Sequence, residues 1–378
     1  MVYVKEGNLY VQDGVNPPRQ LTHSGQDSGP NISDDGEKII FFRGRPDEMY
    51  KVYSISADGT QEQPLITTSI LTALNLGYTN TTELRRRAFV PGTHQVLFST
   101  QEFLGQAEYR AKWNQDLLLV NIDTGKVRRI LAPGEVEHFG VSPDGKLVAI
   151  QTPDQVKVID LSGKVIHKAL ITYPIICCGF YAVGLNWSQD SSTLFIIFPR
   201  EWNDYIYEIN PPLVIWKCPL EDGSPVEIQL TPPPLRSYYS ISPDRNWIVY
   251  SFIHYDFLSE TDLSIPEGIY LGNLQDGSAK LIAELSDSDN DFGWAPDSLH
   301  FSFEQYYSGV YQEVFGNLSG ELTVRKDIWR FLDWVDTSHY LFGYVEMGEL
   351  DTETTLRMTE SIGEGSGFDF VMLLATEK

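Results

Sequence analysis

A short turn built from serine, proline, aspartate and glycine recurs along the chain, and this repeat constrains the fold more than any other feature. Its clearest copy is Ser142-Pro143-Asp144-Gly145, and each copy contains an apolar residue before its turn. Consecutive copies lie about 50 residues apart, a period that indicates a solenoid or a propeller. Seven degraded copies are recognisable, at 31–36, 90–93, 139–150, 187–190, 241–244, 294–297 and 334–337.

Each copy has the composition of a β-hairpin. Proline fixes φ at the first turn position, aspartate bonds its own backbone, and glycine accepts the positive φ that ends the turn. A second recurrent turn follows downstream, as at Ala57-Asp58-Gly59 and Asp123-Thr124-Gly125, between runs of β-branched and aliphatic residues. Each unit is therefore predicted to be a four-stranded antiparallel sheet.

A four-stranded sheet of this size cannot bury both faces alone, and radial repetition lets its neighbours cover them. No stretch longer than a turn or two has helical apolar spacing, so we expect a helix content near zero. The prediction is an all-β protein, a β-propeller that spans 1–378 as a single domain. The hairpins, with segments 8–14 and 19–22, resemble the TolB-like, WD-repeat-like β-propeller family. The matching residues shape turns, so the resemblance implies the fold and says little about function.

The two ends of the chain are expected to share one blade. Three N-terminal segments have the pattern of strands 2, 3 and 4 without a strand 1, at 2–4, 8–13 and 19–22. The C-terminal region offers a hairpin around Trp334, a turn at Gly363-Glu364-Gly365 and a last strand at 368–374. Eight blades are favoured, and seven are the alternative if the last hairpin is irregular.

The charge of the chain excludes some classes of partner. Its 52 acidic and 28 basic side chains give a formal net charge of −24, which repels phosphate backbones and anionic lipid. We expect no nucleic-acid partner, and no apolar segment is long enough for membrane insertion. The basic triplet Arg85-Arg86-Arg87 is too small for a nucleic-acid footprint, and we interpret it as local ion pairing.

The resemblance implies a compartment outside the cytoplasm, because members of the resembled family are usually exported. Met1 is followed directly by strand residues, so no signal peptide is recognised in this chain. A periplasmic or extracellular monomer is the prediction. Cys177, Cys178 and Cys218 do not form a disulfide framework, and buried free thiols are expected.

Binding residues are expected on the long connections between strands. The hairpin turns are short on one face of the disc, whereas the long connections share the opposite face, where binding residues concentrate. These connections are 66–84, 102–115, 172–184, 199–214 and 254–268. Aromatic side chains suited to ligand binding lie on them, namely Tyr109, Trp113, Trp202, Tyr205, Tyr207, Tyr255 and Phe257. The alternative is that these aromatic side chains cover loops and blade edges.

One acidic segment resembles the start of a calcium-binding loop. Asp287, Asp289 and Asp291 place carboxylates at alternate positions, and calcium prefers such oxygen ligands. The match is partial, since the glycine comes one position late and Ser298 stands where a bidentate glutamate is needed. A plain acidic loop is the alternative, and no other cofactor is expected.

Catalytic motifs are not recognisable in the sequence. There is no GxSxG elbow, and the 7 histidines are dispersed without metal-binding spacing. We therefore predict a non-catalytic binding or scaffold propeller that recognises a protein or glycan through its long-loop face. The alternatives are an enzyme that acts on a glycan or peptide at the central channel, with carboxylates or His138 near the innermost strands, and an accessory domain of a larger exported protein.

Overall fold

The computed structural model divides the chain into two compact units. Unit 1 comprises Met1–Thr172 and Gly365–Lys378, and unit 2 comprises Tyr173–Glu364. The structure describes residues 1–13, 16–44, 51–74, 77–78, 82–105, 110–173, 183–199, 212–221, 223–234, 238–253, 265–284, 292–307, 310–325, 330–334, 340–345, 354–358, 361–364 and 370–371.

Unit 1 contains four antiparallel sheets. Sheet 1 consists of β1 (Val2–Lys5), β2 (Asn8–Val11), β3 (Arg19–Gln20) and the C-terminal β33 (Phe370–Val371). Sheet 2 consists of β4 (Asp27–Ile32), β5 (Lys38–Arg43), β6 (Lys51–Ser56) and β7 (Gln63–Ile66). Sheet 3 consists of β8 (Thr82–Val90), β9 (Gln95–Gly105), β10 (Arg110–Trp113), β11 (Leu117–Asn121) and β12 (Val127–Leu131). Sheet 4 consists of β13 (His138–Val141), β14 (Leu147–Gln151), β15 (Gln155–Asp160) and β16 (Val165–Thr172).

Unit 2 also contains four antiparallel sheets. Sheet 5 consists of β17 (Gly184–Trp187), β18 (Thr193–Pro199), β19 (Leu213–Pro219) and β20 (Val226–Ile228). Sheet 6 consists of β21 (Tyr239–Ile241), β22 (Trp247–Phe252), β23 (Gly268–Asn273) and β24 (Ala279–Glu284). Sheet 7 consists of β25 (Phe292–Trp294), β26 (His300–Tyr307), β27 (Val310–Asn317) and β28 (Leu322–Arg325). Sheet 8 consists of β29 (Arg330–Trp334), β30 (Tyr340–Val345), β31 (Thr354–Met358) and β32 (Ser361–Glu364).

The predicted all-β propeller architecture of four-stranded antiparallel blades is confirmed, and the described strands form eight sheets, the number that the repeats favour. The two ends of the chain do share a sheet: β33 pairs with β1, with Val2 opposite Val371 and Tyr3 opposite Phe370. Within the described residues one helix is present, α1 (Thr68–Ala73), which Thr67 caps by accepting a 3.2 Å hydrogen bond from the Ile70 amide.

Two details of the sequence prediction are wrong. The connection expected at 102–115 is mostly strand, because β9 continues to Gly105 and pairs with β10. Phe103 on β9, and Ala111 and Trp113 on β10, are compatible with strands. No turn residue interrupts β9 before Gly105. The turn expected at Gly363-Glu364-Gly365 is wrong for Gly363 and Glu364, because Ser361–Glu364 is strand β32 and pairs with β31.

The repeated turns are closed by the same side-chain hydrogen bonds. In the turn between β13 and β14, Ser142 Oγ donates to Asp144 Oδ1 over 2.6 Å and accepts from the Leu147 amide over 2.9 Å. The bond from Ser188 is the largest of the effects that lower the pKa of Asp190 to about 2, so this acceptor stays ionised. Three further turns have the serine-to-aspartate bond at 2.6 Å, namely Ser33 to Asp35, Ser188 to Asp190 and Ser242 to Asp244.

Both faces of a sheet are apolar, which explains why the strand sequences contain continuous apolar runs. On β9, Leu97 is buried in a cluster with Val148 of sheet 4, whereas Val96 and Phe98 are buried in a cluster with Ile40 of sheet 2. Successive side chains of a strand point to opposite faces, so adjacent residues bury against different neighbours. Sheet 3 therefore serves as a layer of two separate cores.

Trp294 of the repeat packs between sheets 6 and 7, in agreement with the structural role predicted for it. Trp294 is 9% exposed, its Nε1 donates to the Ser240 carbonyl over 3.0 Å, and its ring centroid lies 5.3 Å from that of Phe301. Trp187 is 4% exposed. The side chain of Trp334 lies outside the described residues.

A glycine in the β13–β14 turn touches the preceding sheet, and its replacement tests this contact. Gly145 has φ +69°, and a Cβ there would lie 2.5 Å from the Pro91 carbonyl oxygen. Gly125 has φ +65° with nothing within 4 Å of its Cβ position. Gly125→Ala should cost about 1–2 kcal/mol for the left-handed backbone. Gly145→Ala should cost more in urea unfolding, because backbone must move as well; equal losses would contradict the contact.

Candidate functional site

Of the predicted aromatic ligand-binding residues, Trp113 alone lies within the described part of the chain. It is on β10 opposite Gln101 of β9, and its side chain is partly exposed. The other predicted ligand-binding residues lie outside the described residues: Tyr109, Trp202, Tyr205, Tyr207, Tyr255 and Phe257. The predicted calcium ligands lie outside them too: Asp287, Asp289 and Asp291. The roles of these nine residues stay predictions.

The two ends of the strands in sheet 3 differ. We call the end that carries the β8–β9 and β11–β12 turns the turn edge, and the opposite end the loop edge. At the turn edge the backbone closes on itself, with the Thr93 amide 3.1 Å from the Val90 carbonyl and the Gly125 amide 2.9 Å from the Asn121 carbonyl. At the loop edge β9 extends, with 11 residues compared with 5 in β14, the equivalent strand of sheet 4. Trp113 lies on this extension.

A cluster of polar side chains spans the first strands of sheets 3 and 4. Arg86 of β8 is partly buried, and its guanidinium contacts Nδ1 of His138 on β13. Burial lowers the pKa of Arg86, and among the described residues no carboxylate forms an ion pair with it. The expected local ion pairing of the basic triplet therefore does not hold for Arg86.

Two other partly buried arginines of the described chain, Arg43 and Arg245, have several hydrogen-bond acceptors each. Arg43 donates to Asp27 over 2.6 Å and to Glu62 over 2.5 Å. Burial alone lowers the pKa of Arg43, but the bonds to these two carboxylates outweigh it and raise the pKa. Arg245 donates to the Trp187 carbonyl over 2.7 Å and to the Ser242 carbonyl over 3.0 Å. Arg86 differs from both.

The neighbours of His138 complete the cluster. Gln151 of β14 is the cross-strand partner of His138, and its side-chain amide donates to Glu137 Oε2 over 3.2 Å. Partial burial raises the pKa of the Glu137 carboxyl, and the bond from Gln151 opposes only part of this shift. We call Arg86, Glu137, His138 and Gln151 the inner-strand cluster. Two contacts are seen in it, one between Arg86 and His138 and one between Gln151 and Glu137.

Sequence reasoning identified His138 as a possible functional residue and missed the other members. Arg86 was noted only as part of a basic triplet, and Glu137 and Gln151 carried no motif. The available signal was an arginine in the middle of strand β8, between Arg85 and Arg87. Cys218 is not a candidate nucleophile. It is fully buried on β19, and burial raises the pKa of its thiol to about 12.

A second charged cluster joins three turns at the turn edge. His94 Nε2 lies 2.8 Å from Asp35 Oδ2, and His94 Nδ1 lies 2.9 Å from Asp123 Oδ2. Three side chains each offer one possible metal-ligand atom here, and these atoms lie within 4.8 Å of one another: Asp35, Glu37 and His94. This spacing is compatible with metal coordination. Asp35 and Glu37 are exposed, and ion pairing between turns accounts for the arrangement.

The charged state of His94 is favoured by this arrangement. Partial burial lowers the pKa of His94, but the hydrogen bonds to Asp123 and Asp35 and their negative charges outweigh burial, so the pKa is raised from 6.5. A raised pKa in the folded state means that His94 stabilises the fold fully below about pH 6.5 and loses this contribution as the pH rises through the folded-state pKa.

Replacing His94 tests this ion pairing. His94→Gln should lower Tm by roughly 1–3 °C near pH 5.5, and the difference from the unmodified protein should shrink by pH 8.5. His300→Gln is the matched control, because His300 pairs only with Asp297 of its own turn, at 2.7 Å. Differential scanning calorimetry at both pH values measures the effect. A His94→Gln deficit that stays constant with pH would refute the assignment.

No helix within the described segments is long and apolar enough to span a membrane. Sequence comparison finds no matching family model and no matching curated protein. Solved structures are similar in fold. A prolyl endopeptidase matches with a TM-score of 0.58 and 13% identity, over 92% of this chain and 50% of that chain. An oligogalacturonate lyase from Vibrio parahaemolyticus matches with a TM-score of 0.52 and 15% identity, over 83% of this chain and 84% of that chain.

TolB from Acinetobacter baumannii is also similar, with a TM-score of 0.39 and 13% identity, over 78% of this chain and 66% of that chain. The chain thus spans half of the prolyl endopeptidase and just under two thirds of TolB. These likenesses show the β-propeller fold, which hosts both enzymes and binding proteins and so does not choose between them.

Proposed function

We propose that the protein is a non-catalytic binding propeller that recognises a protein or glycan through the loop edge of its sheets. The observation that supports this proposal is the difference between the two edges of sheet 3. The turn edge is closed by its own backbone hydrogen bonds, whereas the loop edge carries the β9–β10 extension with the partly exposed Trp113. Tryptophan combines a large contact area with a polar tip and is enriched at binding hot spots.

The remaining features of the proposal follow from composition and from the resemblance. The net charge of −24 makes a nucleic-acid partner unfavourable. We expect a monomer that acts in the periplasm or outside the cell, as the exported members of the resembled family do. Calcium at Asp287, Asp289 and Asp291 remains part of the proposal.

Trp113→Ala tests the loop edge. Binding partners should first be identified with the unmodified protein, by pull-down from an envelope fraction and on a glycan array. Trp113→Ala should then weaken binding of the strongest partner by about tenfold or more, because a central aromatic contact is lost. Leu299→Ala is the control, since Leu299 is 52% exposed in the β25–β26 turn. Equal binding by the two variants, with unchanged Tm, would rule out the proposal.

A second candidate function is an enzyme that acts on a glycan or peptide, and the inner-strand cluster favours it. Glu137 has a raised pKa, and it lies beside His138 and their shared neighbour Gln151. A carboxyl group whose pKa is raised by burial is suited to act as a general acid. One structural neighbour is itself an oligogalacturonate lyase.

Turnover assays decide this second candidate. Oligogalacturonate and a mixed peptide library are incubated with the protein, and products are followed by mass spectrometry. An enzyme should lose turnover by about a hundredfold or more in Glu137→Gln, which cannot donate the proton but keeps the size of the side chain. Glu135→Gln, on the connection before β13, is the control. Absence of products with the unmodified protein eliminates oligogalacturonate and the library peptides as substrates.

A further inference from the structure

The last strand of sheet 4, β16, has a long and exposed free edge. Sheet 4 has the order β13-β14-β15-β16, so within the described residues β15 alone pairs with β16. β16 has 8 residues, compared with 5 in β12 and 6 in β24, the equivalent strands of sheets 3 and 6. A strand at the end of a sheet presents backbone N–H and C=O groups with which another extended segment can pair. β16 therefore offers a docking edge.

Two apolar side chains are exposed at the start of β16. Val165 is 41% exposed and Ile166 is 42% exposed. A bulge accounts for the exposure of Ile166: Val165 is opposite Ile159 and His167 is opposite Val158, so Ile166 has no register partner on β15. A ligand that covers these two side chains removes apolar surface from water, which favours binding.

This edge is basic, although the chain is strongly acidic. Residues 161–172 contain no aspartate or glutamate, whereas the whole chain has 52 of them and a formal net charge of −24. Lys164 and Lys168 are exposed, and neither forms an ion pair within the described segments. The nearest carboxylate along the chain is that of Asp160, which accepts from Ser162 Oγ over 2.6 Å and from the Lys164 amide over 3.0 Å. Asp160 therefore serves the turn before β16.

Sheet 3 places a further cation beside this edge. Arg128 of β12 is exposed and donates to the Leu161 carbonyl over 2.8 Å, in the turn that leads into β16. A Cβ on Gly163 of the same turn would lie 2.9 Å from the Ile130 carbonyl oxygen, so β12 lies directly against this turn. The positive charge thus extends from β16 to the neighbouring sheet.

Charge selects among the partners that could pair with β16. A second copy of this chain would bring Lys164 and Lys168 close to the same lysines of its own β16, and like charges across two strands destabilise the pair. An acidic segment brings opposite charges, which stabilise it. Nucleic acid supplies negative charge, but it has neither a strand backbone for β16 nor apolar side chains for Val165 and Ile166.

We propose that β16 binds an extended acidic segment of a partner protein by strand addition. Lys164 and Lys168 contact carboxylates of this segment, and Val165 and Ile166 contact apolar side chains that alternate with them. The surface goes beyond the loop-edge function, since Trp113 lies on β10 of sheet 3 and both lysines belong to sheet 4 or its turn. It lies entirely within unit 1.

Fluorescence anisotropy with synthetic peptides tests the chemistry of the partner. The probe is a fluorescein-labelled peptide that matches β16 in length and in which glutamate and leucine alternate. It should bind, and the same peptide with lysine in place of glutamate should not. A peptide of alternating glutamate and proline keeps the charge but lacks half of the N–H donors, so it should bind about tenfold more weakly or less.

Variants of the protein locate the binding edge. Lys168→Glu should weaken binding of the glutamate–leucine peptide by about tenfold or more, because an opposite-charge contact becomes a like-charge contact. Lys51→Glu is the matched control, since it makes the same charge change at an exposed position of β6, and it should bind like the unmodified protein. Lys168→Gln takes the place of Lys168→Glu if that variant does not fold.

A second pair of variants tests the apolar contact. Val165→Thr keeps the β-branched shape but replaces a methyl group with a hydroxyl, so binding should weaken by about threefold or more. Val226→Thr is its control, because Val226 is 59% exposed on β20, the equivalent strand of sheet 5, beside Glu227. The Tm of all four variants should stay close to that of the unmodified protein, since the changed side chains are exposed.

Several results would overturn the proposal. They are equal binding of the glutamate–leucine peptide and either control peptide, unchanged affinity in Lys168→Glu, an equal loss in Lys51→Glu, and tighter binding of duplex DNA or phosphatidylserine vesicles than of the glutamate–leucine peptide. Self-association that sedimentation velocity detects and that Lys168→Glu abolishes would make a second copy the occupant instead. Trp113→Ala should bind the peptide normally, so this proposal and the loop-edge function fail separately.

Discussion

The structure depends on the fact that sheets 2, 3 and 6 are apolar on both faces. Leu97 and Phe98 are neighbours on β9, yet they are buried against different sheets. A sheet of this kind leaves one face in water unless a second copy covers it, and that copy then has a bare face of its own. Repetition solves the problem, and the hydrogen-bonded turns hold successive strands in the register that repetition requires.

Much of the fold could be predicted because its signals are local. A turn such as Ser142-Pro143-Asp144-Gly145 contains its own hydrogen-bond donors and acceptors, so a few residues suffice to identify the hairpin. Errors occurred where local signals mislead. Gly363 suggested a turn but lies in a strand, and the β9–β10 extension was mistaken for a loop because the repeat pattern places no strand at 102–115.

The candidate site could not be predicted in the same way. The contact between Arg86 and His138 joins side chains 52 residues apart, from two different repeats. Nothing in either segment encodes the other, because the contact is created by the packing of two sheets. The lack of an ion pair at Arg86 could not be predicted either, because a sequence does not show which arginines contact a carboxylate. That difference separates Arg43 from Arg86 only after folding.

The pairing of β33 with β1 has a consequence for the timing of biosynthesis. The partner of Tyr3, Phe370, is translated more than 360 residues after it. At about 5–20 residues per second, the first strand waits roughly 20–70 s with one backbone edge open. During that interval the nascent chain presents a pairing edge to chaperones, to other nascent chains and to its own later strands.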